Sequence, residues 1–247
     1  MIDTHAHLDA CDEPASFLVE RARAVGVTRV ITVGTGIVSC RAALAIAADE
    51  EGVYAVLGID PHQAGGSEAA RIDELAELIS HPRAVAVGET GLDYFRDHAP
   101  RAAQLALFER QLELAAETDL PVVIHTRDAD EDTAAALAGF QGTVILHCFS
   151  APGLLGVALE RGYYLSFAGN VTFPNASGLL AAAVAVPADR ILAETDSPYL
   201  APQPLRGKRN EPANVTHTLA FLAEARGERV EVLEEQIDLN ATAAFRL

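Results

Sequence analysis

Residues 121–147, PVVIHTRDADEDTAAALAGFQGTVILH, carry the pattern that decides the fold. The run Pro121–His125 is apolar and rich in β-branched residues, and Thr143–His147 repeats it. Between them Asp130–Ala138 has the Ala-rich composition of a helix. Near-continuous apolar strands suit a sheet covered on both faces, and a helix between two of them is the crossover that a parallel pair needs.

The same alternation runs along the whole chain. Short apolar runs fall at Ile2–His7, Arg29–Gly34, Tyr54–Ile59, Ala84–Glu89, Pro121–His125, Thr143–His147, Tyr163–Phe167 and Arg190–Thr195. Helical segments follow at Pro14–Val25, Ser39–Glu51, Ser67–Ile79, Pro100–Thr118, Asp130–Ala138, Pro152–Arg161, Ala176–Val186 and Ala213–Arg226, and Val230–Phe245 closes the chain. Eight such repeats in 247 residues predict an α/β protein with a TIM-type (β/α)8 barrel, read as one domain over residues 1–247. A doubly wound open sheet is the structural alternative, but no GxGxxG follows the first strand. The Pro-rich stretch Pro198–Pro212 is the longest irregular segment and is read as a functional loop.

Composition narrows the class. Eighteen basic against thirty-five acidic residues give a formal net charge of −17, which opposes non-specific binding to nucleic acid or anionic membrane. Bound divalent ions would reverse that field locally, so a phosphate-bearing substrate stays open. Cys11, Cys40 and Cys148 are too few and too scattered for a disulfide framework. The N-terminus has no secretory pattern, and the longest Ala-rich stretch, Gly178–Val186, is too short to span a bilayer. The expectation is a cytoplasmic protein, monomeric, with no membrane or protein partner.

Ligand-type side chains gather at the C-terminal ends of the strands, where barrels of this kind carry their sites. His5 and His7 end the first strand, Glu89 the fourth, His125 the fifth and His147 the sixth, and Asp196 follows the eighth. In His5-Ala6-His7 the imidazoles are two residues apart on an extended chain, so they share a face with Cα atoms ~6.6 Å apart and converge on one ion. Glu194-Thr195-Asp196 repeats that spacing on the strand that meets the first when the barrel closes, with Glu194 one layer deeper as an orienting group. Gly88 and Gly91 around Glu89 would let backbone approach a metal or substrate closely. The assignment is His5, His7, Glu89 and Asp196 around one cation, and Glu89, His125 and His147 around a second. Mixed imidazole and carboxylate donors suit two divalent ions, Zn, Mn or Mg. Any one of these histidines alone is more often a core residue, but charged groups at five strand ends are costly to bury unless paired or metal-bound. His81 and His98 sit in polar connections and are read as surface residues.

The segments IDTHAHL, GETGLDYFRD, PVVIHTRDA, LHCFS, YLSFAGNVTF, ETDSPYLAP and RGKRNEP resemble the TatD family of metal-dependent deoxyribonucleases, within the amidohydrolase superfamily, over the whole chain. The resemblance implies the same six metal ligands and hydrolysis of DNA phosphodiesters from a strand end, as a 3'-5' exonuclease acting on short or single-stranded DNA. It departs at Asp60, where the family usually has histidine, and at Ala151, where it usually has glycine; His62 is retained as a substrate contact.

Asp196 is the candidate general base, with Glu89 as its catalytic partner. Arg127, Arg206, Lys208 and Arg209 are candidates to hold phosphate oxygens, and Tyr199 or Phe149 to stack on a base. Two alternatives remain. The same site could hydrolyse a small ester, amide, lactone or aminoacyl-tRNA ester, or the chain could bind a metal without turning anything over.

Overall fold

Each strand of the computed structural model, which describes residues 1–247, pairs in parallel with its successor in the chain. The strands are β1 (Ile2–Ala6), β2 (Arg29–Gly34), β3 (Val53–Leu57), β4 (Ala84–Asp93), β5 (Val122–Arg127), β6 (Val144–Leu146), β7 (Tyr164–Phe167) and β8 (Ile191–Ala193). Around them run α1 (Ala15–Ala24), α2 (Ile37–Asp49), α3 (Ile72–Leu78), α4 (Arg101–Thr118), α5 (Asp130–Leu137), α6 (Leu155–Glu160), α7 (Ser177–Ala185), α8 (Val215–Arg226) and α9 (Val230–Phe245). The sheet closes where β1 meets the segment after β8: Asp196 N donates to His5 O at 2.9 Å and His7 N to Ser197 O at 2.7 Å. The result is the (β/α)8 barrel that the alternation predicts. No helix is long and apolar enough to cross a membrane.

The strands are buried almost throughout, which is why they read as unbroken apolar runs. Among the polar exceptions, one group holds the seam. Asp3 is fully buried, and its Oδ1 accepts from Thr195 N (2.8 Å) and His5 N (3.3 Å) while Oδ2 accepts from Thr195 Oγ1 (2.6 Å). Burial pushes its carboxyl up to about 8 even against those hydrogen bonds. Thr4 Oγ1 donates across the same seam to Ala193 O at 3.0 Å.

The fourth strand differs from its sequence reading. It does not end at Glu89 but continues to Asp93, beside a β5 that itself runs on to Arg127. Glycine makes this possible. A Cβ on Gly88 (φ +151°) would lie 2.6 Å from Val123 O, and one on Gly91 (φ +134°) would lie 2.0 Å from His125 O. The glycines therefore admit the backbone of β5, not a metal or substrate as their spacing suggested. The β4–β5 register shifts between Val87 and Thr90, and α4 supplies buried amides to backbone and hydroxyl groups near that irregularity. Gln104 accepts from Asp93 N (2.8 Å) and donates to Ala99 O (2.9 Å); Gln111, two turns on, accepts from Ile59 N (2.9 Å) and donates to Thr90 Oγ1 (2.7 Å).

Three predicted helices begin differently. Ser67–Ile79, Pro152–Arg161 and Ala213–Arg226 each open with a separate 3-10 turn (Glu68–Arg71, Pro152–Leu154 and Pro212–Asn214) before the α-helix proper. Tight first turns of this kind are common at helix starts, and in the latter two a proline occupies the opening position.

Asp3→Ala would leave the Thr195 amide and hydroxyl without their acceptor at the seam. It is expected to lower unfolding free energy by about 2–4 kcal/mol in urea titrations of the metal-free protein; unchanged stability would show that the seam does not depend on this carboxylate.

Candidate metal centre

All six side chains named from the sequence converge at the mouth of the barrel. β1 and the residue after its end deliver His5 and His7 with their Nε2 atoms 3.3 Å apart. Asp196 Oδ1 lies 3.4 Å from His7 Nε2 and 3.9 Å from His5 Nε2, and Glu89 Oε2 lies 3.5 Å from His5 Nε2 and 3.7 Å from His7 Nε2. The other oxygen of Glu89 serves a second group: Oε1 is 2.8 Å from His125 Nδ1 and 3.0 Å from His147 Nε2, which are 3.3 Å from each other. One carboxylate thus presents an oxygen to each of two donor sets.

The chemistry of those sets fits divalent cations. Two imidazole nitrogens face each other at 3.3 Å, close enough for one cation to take a lone pair from each. The far nitrogens are mostly held, which fixes the tautomer from the hydrogen-bond network. His7 Nδ1 donates to Val33 O at 3.2 Å, and His147 Nδ1 donates to Glu194 Oε1 at 3.2 Å. Glu194 also accepts from Cys148 N at 2.8 Å, so the orienting role expected of it is exerted on His147. His125 Nε2 donates to Asp93 Oδ2 at 3.2 Å. His5 Nδ1 has no partner, and its ring is stacked on His147 with centroids 3.9 Å apart.

Electrostatics keep the acids charged. Burial opposes ionisation of Glu89, yet His147, His125 and His5 outweigh it and hold its carboxyl well below the usual range. Asp196 is lowered in the same way, burial being overcome by His7. Conversely, burial disfavours charge on His7 and His125, but Asp196 and Glu89 push His7 up to about 9, and Asp93 and Glu89 push His125 up to about 9. For His5 burial prevails, reinforced by His147, and the imidazole is lowered. Two anionic carboxylates among imidazoles that surrender protons are a cation site in waiting.

The centre opens into a cavity of about 900 Å³. Of the expected substrate contacts, His62, Arg127, Tyr199, Arg206 and Lys208 line it. The Arg127 guanidinium lies 3.8 Å over the Phe95 ring and that of Arg206 lies 4.3 Å over Phe173. Arg209 does not line the cavity: it is paired with Asp12 through two bonds of 2.8 Å. Phe149 is a core residue, buried against Phe167. His98, read from its polar surroundings as a surface residue, borders the cavity with its ring 5.0 Å from that of His62. Asp60 caps the short turn that carries His62, its Oδ1 accepting from Gln63 N at 3.2 Å, and burial with Glu89 nearby pushes it up to about 7. Ala151 is buried with φ −112°, a conformation that needs no glycine. Asp93, Arg96 and Asn170 were not singled out in the sequence. For Asp93 a signal existed, since Glu89, Gly91 and Asp93 share a face once the strand is allowed to continue.

The family described as TatD related DNase matches residues 2–246. The metal-dependent hydrolase TatD of Mycobacterium tuberculosis is 38% identical, covering 100% of this chain and 98% of its own length. A protein named 3'-5' ssDNA/RNA exonuclease TatD, from Klebsiella pneumoniae, is 35% identical over 92% of this chain and 90% of its own. Among solved structures, the TatD homolog YJJV from Escherichia coli superposes with a TM-score of 0.92 at 28% identity, covering 100% of this chain and 98% of that one. With this likeness over its full length, the chain belongs to the TatD family of metal-dependent hydrolases.

Proposed function

We propose that this hydrolase is a deoxyribonuclease that trims short or single-stranded DNA ends in the 3'-5' direction with two divalent ions. The observation that carries the reading is the division of Glu89 between two donor sets at the floor of a cavity with cationic side chains on its walls. In a chain of net charge −17, Arg96, Arg127, Arg206 and Lys208 on one cavity form a local exception that suits an anionic substrate. The relatives named as ssDNA/RNA exonucleases support the same choice.

His5, His7, Glu89 and Asp196 would hold one ion and Glu89, His125 and His147 the other; Mg, Mn and Zn all suit the donors. Divalent cations bound there supply Lewis acidity and lower the pKa of an attacking water. Asp196, kept ionised by His7 and partly open to the cavity, would accept a proton from the attacking water. Arg127 and Arg206, stacked on Phe95 and Phe173, are pre-oriented to hold non-bridging phosphate oxygens, with Lys208 beside them. His62 faces the cavity near the second ion's ligands, and Tyr199, half exposed and 6.0 Å from His7, offers a ring to a terminal base.

A second reading keeps the site and replaces the substrate with a small ester, amide or lactone. The strongly acidic remainder of the surface favours it over long duplex DNA.

Asp196→Asn is expected to lower kcat on a single-stranded oligonucleotide by at least ~10²-fold with the fold retained, and His125→Ala to abolish turnover; activity kept by either at saturating metal rules out the assigned roles. Binding to a nonhydrolysable oligonucleotide should weaken steeply with salt, and Arg206→Ala or Lys208→Ala should each reduce the log–log slope by about 1. A slope near zero in the wild type favours the small-ester reading. Because His7 and His125 hold protons up to about pH 9, zinc affinity should fall as pH drops from 9 to 6. Calorimetry in buffers of differing ionisation enthalpy should register the proton release; its absence contradicts the charge states described here.

A further inference from the structure

We infer that Asp93 is a positioning residue that fixes which nitrogen His125 offers to the second ion and ties that ligand to the substrate-facing His62. The inference rests on the two-ion reading above.

Asp93 is fully buried, yet its two oxygens divide between distinct tasks. Oδ1 accepts from the backbone amides of Phe95 (3.0 Å) and Arg96 (2.8 Å), which anchors it in the turn after β4. Its own amide is gripped by Gln104 of α4. Thus immobilised, Oδ2 points between two imidazoles: His125 Nε2 at 3.2 Å and His62 Nε2 at 3.6 Å. His125 has its Nδ1 on Glu89 Oε1 and the partner ligand His147. An imidazole with one nitrogen on a cation must carry its proton on the other, and Asp93 is a fixed anionic acceptor for that proton. The electron density it lends also makes Nδ1 the stronger donor.

The same oxygen reaches His62, whose Nδ1 is buried without a partner. Asp93 is the one partner within ion-pair distance that the structure gives this ring, so the carboxylate sets the pose of the cavity-facing histidine as well as that of the metal ligand. Glu89, Gly91 and Asp93 alternate along one face of a single strand. The bridging carboxylate and the positioning one are therefore set by the same strand, in the register that Gly88 and Gly91 permit.

The isosteric Asp93→Asn separates positioning from bulk. Its amide oxygen can keep the Phe95 and Arg96 amides while its NH2 turns to the imidazoles. An NH2 cannot accept the Nε2 proton. His125 is then driven to the tautomer with hydrogen on Nδ1, the atom that faces the ion.

Zinc titration of metal-free wild type and Asp93→Asn by calorimetry reads the effect. The expected result is two ions in the wild type, with the variant keeping one affinity and losing roughly 10–100-fold in the other. Equal affinities in both proteins, or an equal loss at both ions, overturns the inference. So does a third wild-type ion that disappears in the variant, because the group His62, Asp93 and His125 would then be a metal site in its own right. Histidine side-chain 15N spectra of the zinc-loaded wild type test the same point without any substitution: the proton of His125 is expected on Nε2, and a proton on Nδ1 overturns it. A wild type that takes up only one ion instead sinks the two-ion reading itself, and the inference with it.

Discussion

The interaction on which the mouth of this barrel depends is the shared carboxylate of Glu89, which meets two pairs of imidazoles with opposite oxygens. An anion buried at that depth is tolerated only if its surroundings answer it. Here four histidines do so, and they are in turn held by hydrogen bonds to the Val33 carbonyl, Glu194 and Asp93 and by the closed β1–β8 seam. The cluster resembles a set of nested supports more than a row of independent ligands, and a change in an outer member propagates to the nitrogen or oxygen at the centre.

Barrel closure makes this possible. His5 and His7 come from the first strand and Asp196 from just past the last, 189 or more positions along the chain, yet backbone hydrogen bonds from Asp196 N to His5 O and from His7 N to Ser197 O set them side by side. Asp196 itself sits at φ +54°, so its side chain leaves the strand direction and turns over the histidine pair. The stability of the seam and the geometry of the candidate metal centre are thus one problem, and Asp3, two residues from His5, belongs to both.

Much of this was legible in the residues. The apolar runs gave the eight strands in order because strands buried on both faces leave no polar alternation to confuse the reading, and the six ligand-type side chains fell at strand ends where barrel chemistry resides. Less visible was whatever depends on neighbouring backbone. The continuation of β4 past Glu89 turns on two glycines that admit β5, and strand propensity alone does not value them so. Without that extension Asp93 falls outside the fourth strand predicted over Ala84–Glu89. Arg209 could not be told from Lys208 by composition; only the approach of Asp12, nearly two hundred positions away in the chain, removes it from the cavity. His98 is exposed, as its polar connection suggests, but sequence alone does not show that this stretch of surface borders the cavity.

The most direct test of the shared carboxylate is anomalous diffraction from crystals of the protein grown with manganese. The account predicts two peaks about 3.5–4 Å apart, on either side of the Glu89 carboxylate, one against His5, His7 and Asp196 and the other against His125 and His147. A single peak, or two peaks of which only one touches Glu89, would contradict it.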